Sequence, residues 1–444
     1  MQDSKHGNGS VSAGASYDAV IVGASLAGCT TAILLGRAGA RVALVEKQRD
    51  PKAYKRICSH FIQSSAVPAL ERLDLLRAIE DAGGTRPYFR AWTRWGWIEA
   101  PKDRSVASVN LRRELLDPLV RETAAAVPGV DLLLGQTAQE LTRGTDGAVS
   151  GVVVRDTSGT ETRLGARLTI GADGRDSHIA DLARVPVKTT PHGRFAYGGY
   201  FEGPPPAGAP DASVWMLDPQ FAAAFPTDSG LVFYIAMGTK DRLPEFRRDL
   251  EAALVKWVAD LPDAPPIRES RLVDRIKGKL DMTNKLRRPV APGLALVGDA
   301  ALAIDPLWGV GCGFAFQSGE WLADSVTPAL LRGESLDAGL ERYRKRHARG
   351  LNGHARMMVQ YATGRKFDPS ERLLFAATAR DEELVVRFDA FASRRIGPVR
   401  ALATTVPRAI LVNTRNALRR GSGAEPVAAS VSRGVEHERE QVAA

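Results

Sequence analysis

The chain of 444 residues lacks several features that would assign it to other classes of protein. It has only three cysteines, Cys29, Cys58 and Cys312, whose wide spacing argues against a disulfide framework and against a zinc site. It contains no apolar run long enough for a membrane span and no hydrophobic stretch typical of a signal peptide. We therefore expect a protein of the reducing cytoplasm without a bound metal, with disordered tails at residues 1–16 and 421–444.

The sequence also lacks the basic-aromatic repeats and zinc patterns that accompany nucleic-acid binding, although its net charge is +9. Anionic cofactors explain part of this excess, and no nucleic-acid partner is expected. Much of the remainder lies in residues 391–420, which hold seven arginines and no acidic residue. This segment is either a solubilising helical face or a docking surface for an acidic carrier protein or a membrane surface.

The stretch from Tyr17 to Lys47 has the pattern of a dinucleotide-binding βαβ unit. Gly23 allows a tight turn after the first strand, and Gly28 allows the following helix to approach that strand. The middle glycine of the usual motif is replaced by Ser25, whose hydroxyl could reach a phosphate. The free N–H groups at the helix start suit a pyrophosphate, and Glu46 at the end of the second strand suits a ribose.

Several polar residues recur at the ends of later predicted elements. Arg112 and Arg113 stand at a helix start, where a cation is unfavourable unless an anion is bound nearby. Asp173 and Gly174 follow a predicted strand, where a second nucleotide contact belongs. Arg56 could face the pyrophosphate or be a solvated surface residue.

Aromatic residues are concentrated in two regions. Residues 195–237 contain short aromatic and β-branched runs between Pro/Gly turns, which predict an antiparallel sheet. Trp92, Trp95 and Trp97 lie within six residues of one another. They could be core residues, or they could line an apolar substrate pocket together with the sheet face predicted to carry three further rings. Those three further rings are Tyr197, Trp215 and Phe225.

The predicted fold is α/β, with a dinucleotide-binding mixed sheet, an antiparallel substrate-binding sheet and C-terminal helices. We divide the chain into a discontinuous dinucleotide-binding domain (17–188 and 268–345), a substrate-binding sheet and helix (189–267) and a helical region (346–420). The local patterns predict helices over 29–38, 65–83, 243–261 and 314–322, strands over 130–137 and 168–173, and a hairpin from 151–155 and 160–164.

Three separated motifs together resemble the FAD-dependent monooxygenases of the p-hydroxybenzoate hydroxylase type. These motifs are GASLAG with Glu46, then GADGRDS, then VGDAALAIDP followed by GVG. The resemblance covers residues 17 to about 345 and extends to the related geranylgeranyl reductases and flavin-dependent halogenases. It implies FAD as cofactor and NAD(P)H as electron donor.

The resemblance also implies roles for individual residues. The turn 23–28 and Arg113 or Arg112 would hold the pyrophosphate, and the backbone of Ala138 would contact the adenine. Asp299 would bind the ribityl chain. The backbone from Gly309 to Cys312 would contact the flavin pyrimidine ring. The expected cofactor-binding set is Gly23, Ser25, Leu26, Ala27, Gly28, Glu46, Lys47, Arg56, Arg112, Arg113, Ala138, Asp173, Gly174, Asp299, Pro306, Gly309, Gly311 and Cys312.

The sequence departs from the hydroxylase pattern in ways that leave the reaction open. Leu302 replaces the usual His, and Gly313 replaces the usual Asn, as in the reductases. The Trp that reductases and halogenases carry on the substrate sheet is replaced by Ala223.

The leading hypothesis is a monooxygenase of secondary metabolism that oxygenates an apolar or aromatic intermediate with O₂ through a flavin C4a-hydroperoxide. A reductase acting on a C=C or C–C bond is the main alternative. A halogenase is a weaker one, because it needs a lysine near the substrate and only Lys52 and Lys55 are candidates. No catalytic residue is assigned; His60 could act as an acid or base, or could simply be a packed histidine.

Overall fold

The computed structural model describes residues 16–99, 102–306 and 309–421. The predicted βαβ unit is present at its start, as β1 (Ser16–Val22), α1 (Leu26–Arg37) and β2 (Val42–Glu46). The helix begins three residues earlier than predicted, because Ser25 takes the extended conformation of an N-cap residue directly after the turn. The predicted tails lie outside the described residues, apart from Ser16 and Gly421.

The first sheet has the strand order β19-β20-β10-β1-β2-β7, and a hairpin of β8 and β9 extends from β10. Its central strands are parallel, as a βαβ connection requires. The further strands are β7 (Val130–Leu134), β8 (Thr137–Arg143), β9 (Val149–Arg155), β10 (Glu161–Gly171), β19 (Val290–Ala291) and β20 (Leu294–Leu296).

Two strand predictions in this sheet are wrong. The strand predicted over 130–137 is divided into β7 and β8, because Gly135 adopts a positive φ of 70° between them. The hairpin arm 160–164 and the strand predicted over 168–173 are instead one continuous strand, β10. Its first half pairs antiparallel with β9 and its second half parallel with β20, so one strand serves two pairings.

Helices cover the first sheet. The helix predicted over 65–83 is broken at Asp74, whose φ of +59° lies in the left-handed region. A short 3₁₀ turn (Ser64–Ala66) precedes the two pieces. The helices of this part are α2 (Val67–Arg72), α3 (Leu75–Asp81), α4 (Arg113–Ala125), α5 (His178–Leu182) and α7 (Gly311–Leu331).

The second sheet has the order β16-β12-β15-β14-β13-β4-β5, with β17 also paired to β12. It confirms the antiparallel prediction, except that β4 runs parallel to β13 and brings the tryptophan-rich hairpin into the same sheet. Its strands are β4 (Phe89–Thr93), β5 (Gly96–Glu99), β12 (Arg194–Glu202), β13 (Ala212–Met216), β14 (Phe221–Pro226), β15 (Leu231–Thr239), β16 (Arg271–Leu272) and β17 (Lys277–Lys279).

One helix, α6 (Leu250–Ala259), covers the outer face of the second sheet. It is shorter than the helix predicted over 243–261. The segment Lys240–Phe246 is a 3₁₀ helix, and Asp249 starts α6 by accepting a hydrogen bond from the Ala252 N–H.

Short strands connect the two main sheets. They are β3 (Phe61–Ile62) with β6 (Val109–Asn110), and β11 (Val187–Thr190) with β18 (Asn284–Arg287) and β21 (Leu302–Ala303). The C-terminal helices are α8 (Leu336–Ala362), α9 (Pro369–Thr378), α10 (Glu382–Ala392) and α11 (Pro398–Gly421). Within the described ranges, no helix combines the length and the apolar character needed to cross a bilayer.

Candidate functional site

The turn between β1 and α1 can be built only with glycine at two positions. Gly23 has a φ of 112°, and a Cβ atom there would lie 2.4 Å from the carbonyl oxygen of Ala172. A Cβ on Gly28 would lie 1.9 Å from the carbonyl oxygen of Gly23. The Glu46 carboxylate accepts a hydrogen bond of 2.9 Å from the Ala24 N–H, which fixes the end of β2 against the turn. The free N–H groups at the start of α1 therefore face an anion-binding position.

The two candidate arginines of α4 point in different directions. Arg113 is 3% exposed, pairs with Asp117 at 2.6 Å and donates a hydrogen bond of 2.8 Å to the Ser25 hydroxyl. Arg112 instead pairs with Asp228 of the second sheet at 2.7 Å. Only Arg113 is therefore next to the βαβ turn.

The segment after β20 supplies the other side of the site. The Asp299 carboxylate lies 3.2 Å from the Lys55 ammonium group. Burial opposes ionisation of Asp299, but Lys55 and Arg175 outweigh it and hold the pKa of this carboxyl below its usual range. Gly309 has a φ of 63° and leads into α7, whose first N–H groups lack helical partners. A Cβ on Gly311 would meet nothing within 4 Å, so this helix start faces open space.

A pair of cysteines lies between these two sides: Cys312, predicted to contact the flavin through its backbone, and Cys58, to which the sequence analysis gave no role. The sulfur atoms of Cys58 and Cys312 are 3.6 Å apart, and the Arg113 guanidinium is 4.0 and 3.9 Å from them. The hydrogen bond from the Cys312 thiol, assisted by positive charge including that of Arg113, lowers the pKa of Cys58. Their separation in sequence gave no signal for this contact, because it is made by tertiary packing.

His60 is a buried link between the two halves of the site. Its Nδ1 accepts a hydrogen bond of 2.9 Å from the Arg113 N–H, and its Nε2 contacts the hydroxyl of Tyr200 on β12. Burial lowers the pKa of His60 to about 4, so the ring is neutral at pH 7. Tyr200 is a residue that the sequence analysis missed, since only its place in an aromatic run was visible.

The remaining predicted cofactor residues occupy varied positions. Asp173 accepts hydrogen bonds from the Ser177 hydroxyl and the Ile179 N–H and thereby fixes the start of α5. Gly174 follows it with a φ of 88°. Leu26 and Ala27 are buried at the start of α1, and Ala138 is buried in β8. The side chains of Lys47, Arg56 and Pro306 are exposed.

The two faces of the second sheet separate the predicted substrate residues. Phe225 points inward, where it packs 5.8 Å from the ring of Phe61, and Trp95 packs against the same inner cluster. The other four rings lie on the outer face and pack with α6 and its neighbours. They are Trp92, Trp97, Tyr197 and Trp215.

The prediction that these four rings line the substrate site is therefore corrected. Successive side chains of a strand point to opposite faces, and Trp215 lies between the inward-facing Val214 and Met216. The Trp215 ring is 2% exposed, and its Nε1 donates a hydrogen bond of 2.8 Å to the Pro262 carbonyl. The Trp97 ring packs edge-on against it. These residues hold α6 on the sheet.

The inner face of the sheet meets the flavin-side segments in one buried apolar cluster. Phe225 and Phe233 from the sheet pack in it with Leu302, Val310 and Phe314. The cavity that remains between the sheet, β3 and α10 has a volume of only about 20 Å³. A space of this size holds no more than a water molecule, so an organic substrate requires movement of the walls.

The C-terminal helices complete this region, which the motifs did not predict. Arg394, after α10, is buried and donates hydrogen bonds to Gln63 and Gln317. A Cβ on Gly313 would lie 2.4 Å from its Nη2. Arg394 therefore occupies the space next to Gly313, the position at which the hydroxylase pattern has Asn. Among the residues that the structure describes, no cluster of side chains is suited to hold a metal ion.

The βαβ turn open to an anion, the Asp299 carboxylate after β20 and the start of α7 facing open space fit the site of a flavin-dependent oxidoreductase. Residues 16–355 match the family model described as FAD binding domain, and the chain belongs to this family. It binds FAD, and its electron transfer chemistry is that of an FAD-dependent enzyme.

Curated relatives include both reductases and hydroxylases. The chain is 27% identical to the menaquinone reductase of Mycolicibacterium smegmatis, over 70% of this chain and 76% of the relative. It is 26% identical to aklavinone 12-hydroxylase DnrF of Streptomyces peucetius, over 73% and 70%. The solved structure of p-nitrophenol 4-monooxygenase PnpA from Pseudomonas putida DLL-E4 is similar with a TM-score of 0.70 and 20% identity, over 86% of this chain and 99% of that chain. At this identity, the likeness to PnpA concerns the fold.

Proposed function

We propose that the protein is an NAD(P)H-dependent monooxygenase that transfers oxygen from O₂ to a large apolar or aromatic intermediate of secondary metabolism. The observation that carries this proposal is the apolar cluster that the inner sheet face shares with Leu302, Val310 and Phe314. An apolar lining beside the cofactor suits oxygen transfer, because it excludes the water that diverts the reactive species to hydrogen peroxide.

The chain's own residues would hold the cofactor in four contacts. Ser25, Arg113 and the start of α1 would bind the pyrophosphate, and Glu46 the adenosine ribose. Asp299 would accept hydrogen bonds from the ribityl chain, which would replace its contact with Lys55. The start of α7 would face the flavin pyrimidine ring. When bound, FAD supplies the electron transfer and the oxygen activation.

The His60–Tyr200 contact would position a proton donor at the edge of the substrate chamber. Burial raises the pKa of the Tyr200 phenol, so this group remains protonated at pH 7. His60 is held by the Arg113 N–H through Nδ1, which leaves Nε2 for the phenol. The phenol could then donate a hydrogen bond to a polar atom of the substrate while the rest of the chamber remains dry.

Isotope incorporation tests the proposed function directly. FAD-loaded protein is incubated with NADH or NADPH, ¹⁸O₂ and a panel of aromatic polyketides and quinones, and products are followed by mass. A monooxygenase gives a product with one ¹⁸O atom and consumes O₂ in step with the nicotinamide cofactor. Turnover of a substrate with equal yield under nitrogen contradicts the proposal.

A reductase is the second candidate, and the contact between Arg394 and Gly313 favours it. The absence of a side chain at position 313 departs from the hydroxylases and matches the reductase pattern. One of the relatives is named for reduction of menaquinone. A reductase would saturate or reduce its substrate anaerobically, so the nitrogen arm of the same experiment identifies it. A halogenase finds less support, since the side chains of both candidate lysines, Lys52 and Lys55, are exposed.

A further inference from the structure

A second cavity shares Leu286 and Leu302 with the inner apolar cluster but contains no other residue of the flavin and substrate regions described above. Its volume is about 610 Å³, and none of the predicted cofactor or substrate residues lines it. It is formed where β18, the turn after it and β21 meet α8. Its lining residues include Leu286, Arg287, Arg288, Leu302, Arg344 and His347.

The lining of this cavity has an excess of positive charge. Three arginines face one carboxylate, that of Glu341, which leaves two positive charges over. Arg344 binds both oxygens of Glu341 at 2.6 Å. Within the described ranges, neither Arg287 nor Arg288 forms an ion pair with a carboxylate. The cavity therefore has one exposed cation, Arg288, without an ion-pair partner in the described part of the chain, beside the buried charge of Arg287, in the geometry of a cleft, where their field on an anion is strongest.

Two lining residues also have polar atoms that the fold leaves without a partner. Arg287 is buried, and its Nη1 donates to the carbonyl oxygens of Ala300 and Arg175, but its Nε has no hydrogen-bond partner. The buried His347 likewise has an unpartnered Nε2. Buried polar atoms without partners are costly and uncommon in folded proteins. Small rearrangements at a bound polar ligand would satisfy them.

We propose that this cavity binds the phosphorylated end of a nucleotide, with Arg288 contacting a phosphomonoester and Arg344 exchanging one Glu341 oxygen for a phosphate oxygen. Its volume falls within the range of small-molecule sites, and the guanidinium group matches phosphate oxygens in two-point contacts. Leu286, Pro289 and Ala348 add apolar surface for the base and ribose.

Two nucleotides present such a group, NADPH on its 2′-oxygen and a coenzyme A thioester on its 3′-oxygen. The NADPH version rests on the proposed function, whereas the phosphate site itself does not. Arg287, held against the Ala300 carbonyl, joins the cavity to the turn that carries Asp299. A ligand that moves Arg287 would therefore also affect the Asp299 turn at the flavin site.

Calorimetric titration of the FAD-loaded protein tests the site without turnover. The probes are 2′,5′-ADP, 3′,5′-ADP and unphosphorylated adenosine, and the two bisphosphates distinguish the two sources. We expect one bisphosphate to bind more tightly than adenosine, with an affinity that falls as salt is raised. Arg288→Ser combined with Arg344→Ser should weaken it at least tenfold.

The matched control is Arg349→Ser combined with Arg356→Ser, which removes the same two charges from exposed positions of α8 that do not line the cavity. It should leave the affinity within twofold, and both variants should retain the flavin spectrum. Equal losses in the two variants, equal binding of adenosine and the bisphosphates, or no binding of either bisphosphate would overturn the proposal. Because FAD occupies its own site and nothing is turned over, the result is independent of whether the enzyme oxygenates or reduces.

Discussion

At the scale of single residues, Arg112 and Arg113 show that position in the sequence does not determine which of two neighbouring side chains faces a binding site. Both arginines stand at the start of α4, and the pattern favoured an anion contact for one of them. Adjacent residues of a helix differ by about 100° in direction, so only one can face the βαβ turn. The decision depends on Asp117 and Asp228, which pair with Arg113 and Arg112 respectively. The second of these partners is more than a hundred residues away in sequence, beyond any local pattern.

The first prediction compares these two neighbours. Arg113→Gln should weaken FAD binding by about tenfold to a hundredfold, because a charge-assisted hydrogen bond contributes about 1.5–3 kcal/mol. Arg112→Gln removes the same charge one position away, where the partner is Asp228, and should alter FAD affinity by less than threefold. Titration of each unloaded variant with FAD, followed by flavin fluorescence, measures the difference. Similar losses in both variants would remove Arg113 from the pyrophosphate site.

At the scale of secondary structure elements, the predictions succeeded where the signal is local. The βαβ unit and the aromatic antiparallel sheet were both recognised, since glycine spacing and strand periodicity are visible within twenty residues. The choice of sheet face was not predictable in the same way. Alternation indicates that Trp215 and Val214 point to opposite sides, but only the positions of α6 and α7 determine which side meets the flavin. The substrate prediction failed for four rings because it used aromatic content instead of this alternation.

The second prediction separates the two faces of the sheet. Trp215→Ala should lower the free energy of unfolding by about 3–5 kcal/mol, as for other buried aromatic residues. Its effect on the KM for substrate should be small, because the ring faces α6. Phe225→Leu, on the next strand and the inner face, should instead raise KM several-fold and increase the share of NAD(P)H lost to hydrogen peroxide. Denaturant unfolding and peroxide assays measure the two effects. A Trp215 variant with normal stability and impaired substrate binding would restore the original interpretation.

At the scale of the whole molecule, three buried histidines should determine its acid sensitivity. Burial lowers the pKa of His60, His347 and His354 to about 4 in the folded protein, against about 6.5 in an unfolded chain. Unfolding therefore takes up protons between these values, and stability is lost as pH falls from about 6.5 to 4. Asp389 acts in the opposite direction: because burial raises its pKa in the folded protein, it releases at most one proton on unfolding.

The third prediction is a net proton uptake on unfolding at pH 5. It can be measured by calorimetric unfolding in two buffers of different ionisation enthalpy, and the melting temperature should fall steadily between pH 6.5 and pH 4.5. His354→Phe keeps a ring against Phe391 but removes one titrating group, so uptake should fall by up to one proton. The carboxylates with lowered pKa, such as Glu341 and Glu371, add to this uptake from about pH 5 downward, with the same sign. A melting temperature that is constant down to pH 4.5 would contradict this account.

The end of the described chain has the composition of a helix that lies on a charged surface. Helix α11 carries Val399, Ile410 and Leu418 at 83%, 63% and 69% exposure. Its arginines include the exposed Arg400 and Arg415, and its sequence contains no acidic residue. Apolar and cationic side chains exposed on one helix are typical of binding at an anionic membrane surface. A helix made soluble by its arginines does not explain the exposed apolar side chains, whereas docking to an acidic carrier protein would use the same residues.

The fourth prediction is that the protein sediments with anionic liposomes at low salt and is released at high salt. Near such a surface each arginine contributes about 1 kcal/mol, so Arg400→Ser with Arg415→Ser should weaken binding by at least tenfold. Ile410→Ser with Leu418→Ser should also weaken it, because the apolar side chains enter the interface. The α8 variant Arg349→Ser with Arg356→Ser lowers net charge equally and should bind as the parent does. Absence of sedimentation at low salt removes the membrane interpretation. Equal weakening in the α8 control would instead indicate that net charge alone drives the association, since a docking helix requires its own arginines.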